Sequence, residues 1–200
     1  MFLLLSTSDT DLLSARASGA DFTWGNPSRL LAEDIPAMAE SAELIIVRIL
    51  GSRRSWESGI DAVLATGLPV VVLGGEQAPD ADLMEISTVP ANVAAQAHNY
   101  LAEGGSDNLR QLYNFLSDTV LLTGHGFDAP RHLPTWGHLE RHAAPQSAGP
   151  TVAILYYRAQ HLAGNTTYID ALSTAVENAG ATALPIYCAS LRTAEADLLD

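Results

Sequence analysis

The residues best suited to chemistry follow an apolar run in the last quarter of the chain. Thr151–Tyr157 predicts a strand, and the spacing of Ile169, Leu172, Val176 and Ala179 predicts a helix beyond it. The segment between them carries four candidate substrate-binding residues: Arg158, His161, Asn165 and Thr166. Backbone amides at a helix start favour an anion, while arginine and histidine can hold a carboxylate or donate protons. The alternative is an ordinary helix cap made by the asparagine or the threonine.

A weaker set of candidates follows three apolar runs nearer the amino terminus. Thr7–Asp9, Gly51–Arg54 and Gly74–Glu76 each come directly after a predicted strand. Ligands bind beyond the carboxyl ends of parallel strands, where glycine allows close approach and arginine can clamp a carboxylate. The weaker candidates are Arg53, Arg54, Gly74, Gly75 and Glu76. The alternative is that the glycines only make turns and the charges are solvated.

Four of the six histidines lie close together between residues 124 and 150, at positions 125, 132, 138 and 142. Imidazole is a common metal ligand. However, the segment is rich in proline, and its spacings match no closed zinc pattern. We therefore interpret His125, His132, His138 and His142 as exposed loop residues and predict no metal site.

Three short apolar runs predict the architecture that must position these residues. Phe2–Leu5, Leu44–Leu50 and Val70–Leu73 do not alternate with polar residues, which is typical of strands buried on both faces of a parallel sheet. Trp56–Ala65 has helical apolar spacing and lies between the second and third runs. A further short strand is expected within residues 21–36, and two helices after Pro90. The fold class is α/β, with a flavodoxin-like parallel sheet and added helices.

The pattern changes twice along the chain, which predicts three segments. Residues 1–122 form an amino-terminal α/β domain, and residues 123–150 form a linker rich in proline, glycine and histidine. Residues 151–200 begin a second α/β domain, with another strand at Leu184–Tyr187 and a new amphipathic pattern from Arg192. Two strands are too few for an independent core, so we expect a fragment of a longer protein. The alternative is a terminal helix docked on the first domain.

The composition excludes several classes of protein. The chain has 200 residues, a formal net charge of −13 and 48% hydrophobic residues, which excludes a mostly disordered protein. Its acidity argues against nucleic acid and anionic membranes as partners. No apolar stretch is long enough for a signal peptide or a membrane span, and Cys188 is the sole cysteine, so we expect a cytoplasmic protein. Without lysine there is no phosphate-binding P-loop, and dinucleotide-binding and nucleophile-elbow motifs are missing as well.

Two segments resemble a known family. The run from Val152 to Leu172, with Pro185–Ser190 after it, resembles the start of the region shared by the cobaltochelatase large subunit (CobN) and magnesium chelatase H subunits. Gly74–Asp80 and Ser87–Pro90 resemble the amino-terminal region of CobN in particular. The resemblance extends from Leu3 to Leu199, although neither segment is a catalytic signature.

The resemblance implies an ATP-dependent metal–tetrapyrrole ligase. In that family the large subunit binds a corrin, hydrogenobyrinic acid a,c-diamide, and Co²⁺ is inserted as a substrate during aerobic cobalamin synthesis. ATP is hydrolysed by AAA+ partner subunits, which agrees with the missing P-loop. Family members are several times longer, so catalytic residues are expected beyond Asp200 and none is assigned within this chain.

Two other functions stay open at this stage. The chain can be a stand-alone small-ligand-binding module without chemistry, because it has glycine-rich strand ends but no catalytic constellation. A magnesium chelatase H-type subunit is the nearer alternative, since these residues do not select the metal. Under the cobaltochelatase reading, this 200-residue piece is expected to be inactive alone.

Overall fold

The computed structural model describes residues 1–141 and 149–191. The chain divides into two compact units, Met1–His132 and Leu133–Asp200. We call them the amino-terminal and the carboxy-terminal unit. The predicted segment boundaries at residues 122 and 150 stay a prediction.

The amino-terminal unit is built on a four-stranded parallel sheet. Its strands are β1 (Phe2–Ser6), β2 (Phe22–Gly25), β3 (Leu44–Ile49) and β4 (Val70–Gly74). Their order across the sheet is β2-β1-β3-β4, which is the flavodoxin-like order without its last strand. All residues of β1, β3 and β4 are buried, because helices cover both faces of the sheet. The predicted α/β class and the expected strand within residues 21–36 are confirmed.

Six helices cover this sheet. They are α1 (Asp9–Ala17), α2 (Ile35–Ala39), α3 (Glu57–Ala65), α4 (Ala81–Met84), α5 (Ala91–Glu103) and α6 (Ser106–Val120). Short 3₁₀ turns occupy Pro27–Arg29, Ala32–Asp34 and Arg53–Trp56. Apolar residues of α1, α5 and α6 pack on one face, and those of α2, α3 and α4 on the other. The helices expected at Trp56–Ala65 and after Pro90 are α3, α5 and α6.

One edge of this sheet is closed by two hydroxyl side chains. The Val72 N–H donates to Ser87 Oγ at 2.8 Å, and Ser87 Oγ donates to the Val72 carbonyl at 3.3 Å. The Val70 N–H donates to Thr88 Oγ1 at 2.8 Å, while the Thr88 N–H donates to the Val70 carbonyl at 2.9 Å. The Ser87–Thr88 pair therefore satisfies edge groups of β4 that would otherwise be open to another strand.

The carboxy-terminal unit contains a three-stranded sheet with two helices. The strands are β5 (Trp136–His138), β6 (Thr151–Tyr157) and β7 (Thr182–Cys188), and the helices are α7 (Arg158–Leu162) and α8 (Thr167–Asn178). The strand order is β5-β7-β6, with β7 parallel to β6 and antiparallel to β5. The strand expected at Leu184–Tyr187 lies within β7, and the strand expected at Thr151–Tyr157 is β6. The small core contains Ile154, Tyr156, Ile169 and Tyr187.

The segment predicted as a linker carries specific structure. Asp118 accepts hydrogen bonds from the backbone of His125 and Gly126, and Asn108 exchanges two hydrogen bonds with the backbone of Arg131. Residues 136–138 then form β5, which is too short to show a period in sequence. Arg141 binds Glu177 and Asp170 of α8. Prolines limit regular structure in this segment, but side-chain hydrogen bonds still anchor it.

The amphipathic pattern predicted from Arg192 to Asp200 lies outside the described residues. In the part of the chain that the structure describes, no helix is both long enough and apolar enough to cross a lipid bilayer.

Candidate functional site

The candidate residues after β6 lie on and beyond a short helix that the sequence did not predict. Arg158 and His161 belong to α7, which begins directly where β6 ends. The Arg158 guanidinium donates to the carbonyls of Pro134 at 2.8 Å and Leu133 at 3.0 Å. These bonds hold the start of α7 against the chain that enters β5, and they fix the position of the positive charge.

His161 is held by two tyrosines from neighbouring strands. Its ring stacks on Tyr187 of β7, with 3.9 Å between ring centroids and 15° between the ring planes. Its Nδ1 lies 3.1 Å from the Tyr156 hydroxyl. Gly137 of β5 allows this arrangement, since a Cβ there would lie 2.6 Å from the Tyr187 hydroxyl. A stacked and hydrogen-bonded imidazole is a positioned group rather than a solvated one.

Burial determines the protonation states of His161 and Tyr156. Desolvation, followed by the nearby positive charge of Arg158, lowers the pKa of His161 below its usual value. Desolvation, followed by Tyr187, raises the pKa of Tyr156 to about 12. Both groups are therefore neutral near pH 7. A neutral imidazole beside a phenol hydroxyl can accept a proton or relay one, whereas the sequence predicts that His161 holds a carboxylate or donates protons.

Asn165 and Thr166 lie between α7 and α8. Thr166 is the residue before α8, and its carbonyl accepts from the backbone of Ile169 and Asp170. Its side chain makes no capping hydrogen bond. The cap by Thr166, which was the ordinary interpretation of this position, is therefore not observed. The Asn165 N–H donates to the Gln160 carbonyl at 2.9 Å, so the turn is closed by backbone.

A cavity of about 600 Å³ lies beside this segment, along the carboxyl half of β6. Both faces of the strand contribute, through Ile154, Leu155, Tyr156 and Tyr157, and the first turns of α8 contribute Tyr168, Ile169 and Leu172. The remaining lining residues are Gln160, Cys188, Ala189, Ser190 and Leu191. The lining is largely apolar and aromatic, and none of these side chains is an acid or a base with a full charge at pH 7.

The weaker candidates follow strands whose ends are hydrogen-bonded to each other. The Thr7 N–H donates to the Arg48 carbonyl at 3.1 Å, and the Leu50 N–H donates to Thr7 Oγ1 at 3.0 Å. The Gly75 N–H donates to the Ile49 carbonyl at 2.8 Å, and a Cβ at Gly75 would lie 3.2 Å from Leu50. The loops after β1, β3 and β4 are therefore hydrogen-bonded to one another at the edge where an open α/β sheet binds its ligand.

A buried arginine makes further hydrogen bonds to these strand ends. Arg48 of β3 is 6% exposed and binds the equally buried Asp11 of α1 through contacts of 3.0 and 3.1 Å. The same guanidinium donates to the carbonyls of Gly74, Gly75 and Leu101. Sequence reasoning missed Arg48. The available signal was a single charge inside the otherwise apolar run Leu44–Leu50.

The charged residues among the weaker candidates are Arg53, Arg54 and Glu76. Arg53 is bound to Asp61 of α3 at 2.7 Å, and both side chains are largely exposed. Arg54 and Glu76 are exposed. The Glu76 carbonyl lies 3.1 Å from Nε2 of the buried His98, whose pKa is lowered by desolvation and by the charge of Arg48. The structure does not bring Arg53, Arg54 and Glu76 together through any contact that involves their charged groups.

The clustered histidines do not form a metal centre in the described residues. His125, His132 and His138 are exposed, and His132 pairs with Glu103 at 3.1 Å. No group of three or more histidine, cysteine or acidic side chains with ligand geometry occurs in residues 1–141 and 149–191. His142 lies outside the described residues.

Comparison with known proteins identifies the family. The sequence model described as CobN/Magnesium Chelatase matches residues 98–200, which is just over half of the chain. The chain therefore belongs to the CobN/magnesium chelatase family.

The individual relatives that are similar to this chain are cobaltochelatase subunits. The chain is similar to the aerobic cobaltochelatase subunit CobN of Pseudomonas aeruginosa, with 29% identity over 76% of this chain and 13% of that protein. The CobN of a Sinorhizobium species is 29% identical over 96% of this chain and 18% of its own length. Among solved structures, the catalytic subunit of cobaltochelatase from Mycobacterium tuberculosis is 59% identical, with a TM-score of 0.87, over 99% of this chain and 17% of that one. The chain thus spans less than a fifth of the length of these relatives.

Proposed function

We propose that this chain is the amino-terminal portion of the large subunit of an aerobic cobaltochelatase. The whole subunit binds hydrogenobyrinic acid a,c-diamide and inserts Co²⁺ during cobalamin biosynthesis, and AAA+ partner subunits hydrolyse the ATP. The observation that carries the proposal is the 59% identity over 99% of this chain to the Mycobacterium tuberculosis catalytic subunit. The lone Cys188, which excludes an internal disulfide, supports a cytoplasmic location.

Within that subunit, we assign a substrate-contacting role to the segment from Arg158 to Thr166. Insertion of a metal into a corrin displaces inner N–H protons and needs a group that accepts them. Neutral His161, paired with the Tyr156 hydroxyl, has the chemistry for proton transfer. Arg158 supplies a positioned positive charge that favours a carboxylate side arm of the corrin. Asn165 and Thr166 add polar groups at the start of α8.

In the amino-terminal unit, the proposed role is structural. The hydrogen bonds of its strand-end loops with each other and with Arg48 support this role. We assign Gly74 and Gly75 to the close packing of these loops, because a Cβ at either position would meet a neighbour at 2.9 or 3.2 Å.

Reconstitution tests the function. The full-length subunit is combined with its motor subunits, ATP, Co²⁺ and hydrogenobyrinic acid a,c-diamide, and metallated corrin is measured by its absorption. We expect product that depends on ATP and on every subunit. Absence of product with partners known to be active would contradict the proposal and favour the stand-alone binding module.

The same assay tests the assigned residues. In the full-length subunit, Arg158→Gln and His161→Asn are expected to raise the KM for the corrin or lower kcat by about tenfold, the effect of losing one charged or proton-transferring contact. His125→Ala and Arg131→Ala are matched controls, because both residues are exposed in the other unit. Equal kinetics for the test and control variants would remove the substrate-contacting role and leave the cobaltochelatase proposal intact.

A further inference from the structure

The carboxy-terminal unit has a long strand, β6, at the edge of its sheet. The sheet order β5-β7-β6 leaves β6 at an edge, and no other described residues form a strand beside it. This strand is seven residues long, whereas the edge strand β2 of the other sheet has four. A long apolar edge strand is normally shortened, charged or covered, because its free N–H and C=O groups pair readily with another strand.

The register shows which β6 groups face outward. Thr182 pairs with Thr151 in the parallel ladder, and the Thr182 N–H donates to the Pro150 carbonyl at 2.9 Å. In a parallel ladder this places the N–H and C=O groups of Val152, Ile154 and Tyr156 toward β7. The backbone groups of the alternate residues therefore point to the outer edge; these residues are Ala153, Leu155 and Tyr157.

The face of the same sheet opposite α8 is covered only in part. α8 packs on the face that carries Ile154, Tyr156 and Tyr187. On the opposite face, Leu155 at 48%, Tyr157 at 70% and Leu184 at 37% are exposed, whereas Ile186 and Cys188 of β7 are buried. The cavity of about 600 Å³ lies along this edge, and Tyr168 and Leu172 of α8 line it. Large apolar side chains around an open strand edge are typical of a surface that another element covers.

The two sheets of the protein differ at this point. The edge of β4 is closed by the hydroxyls of Ser87 and Thr88. No described side chain closes the outer edge of β6 in that way; its outward-facing residues Ala153, Leu155 and Tyr157 are exposed instead. We infer that the outer edge of β6 pairs in parallel with a strand of the same polypeptide that follows residue 200.

Three observations select this occupant over a second copy or a separate protein. The relatives extend far beyond the region matched, since this chain covers 13–18% of their length. β7 ends at Cys188, at the carboxyl end of the sheet, so a parallel neighbour of β6 needs a crossover of a dozen or more residues. A right-handed crossover from β7 back past β6 lies on the face opposite α8, which carries the exposed Leu155, Tyr157 and Leu184.

The pairing has a consequence for the candidate site. With strands on both sides, β6 becomes the position at which strand order reverses, and ligands bind at the carboxyl end of such a strand. Arg158 and His161 follow that end directly. The pairing itself does not depend on the proposed function, and its test does not use activity.

Hydrogen exchange measured by NMR tests the inference in the 200-residue chain and in the longer polypeptide that the same gene encodes. In the 200-residue chain, the amides of Leu155 and Tyr157 are expected to exchange at least 100-fold faster than those of Ile154 and Tyr156, which bond to β7. In the longer polypeptide, all four are expected to be protected. Unprotected Leu155 and Tyr157 amides there would overturn the inference. So would a reading frame that ends at residue 200, or a 200-residue chain that dimerises with these amides protected.

Proline variants give an independent readout. Ala153→Pro removes only an outward N–H, so the 200-residue chain is expected to keep its urea midpoint. In the longer polypeptide the same change is expected to lower the midpoint, because it removes a ladder bond. Ile154→Pro is the matched control and is expected to destabilise both forms, since its N–H faces β7. An Ala153→Pro variant that leaves the longer polypeptide unaffected would contradict the inference.

Discussion

Arg48 of β3 joins the end of β4 to helices α1 and α5 through hydrogen bonds. Its guanidinium lies at the end of β3 and binds Asp11, Gly74, Gly75 and Leu101. Both charges are buried, and each is the other's ion-pair partner. The carbonyls of Gly74 and Gly75 therefore take part in the hydrogen bonding of this buried pair.

Removal of Arg48 is expected to be costly. Arg48→Met leaves the Asp11 carboxylate buried without its partner, and we expect a loss of about 3–5 kcal/mol in the free energy of unfolding. Urea denaturation followed by circular dichroism measures it. Arg53→Met is the control, because the Arg53–Asp61 pair is exposed and is worth about 1 kcal/mol or less. Equal effects for the two variants would show that the buried pair does not stabilise the fold.

The replacement of two fully buried serines is expected to have opposite effects on stability. Ser173 Oγ of α8 has no hydrogen-bond partner among the described residues, whereas Ser6 Oγ donates to Asp11 at 2.6 Å and accepts from the Ser8 N–H. Ser173→Ala is expected to be neutral or to stabilise by up to about 1 kcal/mol, because it removes an unpaired polar atom. Ser6→Ala is expected to destabilise by about 1–3 kcal/mol. Thermal unfolding of both variants checks this, and a destabilised Ser173→Ala would reveal an unrecognised partner.

The protonation of His161 can be measured directly. Burial and Arg158 lower its folded pKa, so the neutral form is favoured by folding. Stability from this group is therefore complete above the unfolded pKa of about 6.5 and is lost as pH falls below that value. NMR titration of the His161 ring is expected to give a midpoint below 6.5, and Arg158→Gln is expected to raise it. A midpoint at or above 6.5 would contradict the buried, stacked position.

At the scale of elements, Ser87 and Thr88 explain a part of the sequence that carries a family resemblance but no chemistry. Their hydroxyls act as a substitute for a further strand beside β4. The resemblance at Ser87–Pro90 therefore corresponds to an edge-closing segment. A side chain that fills this role must accept a hydrogen bond from the Val72 N–H, as the Ser87 hydroxyl does.

Loss of the Ser87 hydroxyl is expected to open this edge. Ser87→Ala leaves the Val72 N–H without an acceptor, and we expect a loss of about 1–3 kcal/mol. Ser87→Thr keeps the hydroxyl and serves as the control. Urea denaturation gives the stability, and exchange of the Val72 amide locates the change. Unchanged protection of Val72 in Ser87→Ala would show that another group closes the edge.

At the scale of the whole molecule, the two units differ in the size of their cores. The amino-terminal unit has two large apolar clusters, one on each face of its sheet. The core of the carboxy-terminal unit is built around Ile154, Tyr156, Ile169 and Tyr187. A unit of this length supplies only a few kcal/mol from a single core, so the two units are not expected to be equally stable.

Tryptophan fluorescence can separate the two units. Trp24 and Trp56 lie in the amino-terminal unit and Trp136 in the other. In a Trp24→Phe, Trp56→Phe variant, the remaining Trp136 signal is expected to change at lower urea than the circular dichroism signal. A variant with Trp136→Phe should follow the main transition. Coincident transitions for all probes would mean that the chain unfolds as one cooperative unit.

The sequence by itself determined the class of the fold and most of its regular elements. The runs Phe2–Leu5, Leu44–Leu50 and Val70–Leu73 are apolar without alternation, and only a sheet covered on both faces buries such runs. Helices α3, α5, α6 and α8 were predictable for the same reason, because their apolar spacing records which side faces a core. The short elements β5 and α7 were not, since three to five residues show no period.

Only the tertiary structure decided what the polar residues do. The Arg48–Asp11 pair joins residues 37 positions apart, and His161 meets Tyr187 from a different strand. A sequence pattern records whether a side chain is buried, but not which distant atoms complete its hydrogen bonds. For that reason the roles of Arg48, the β4 edge and the open β6 edge became visible only once the strands were placed side by side.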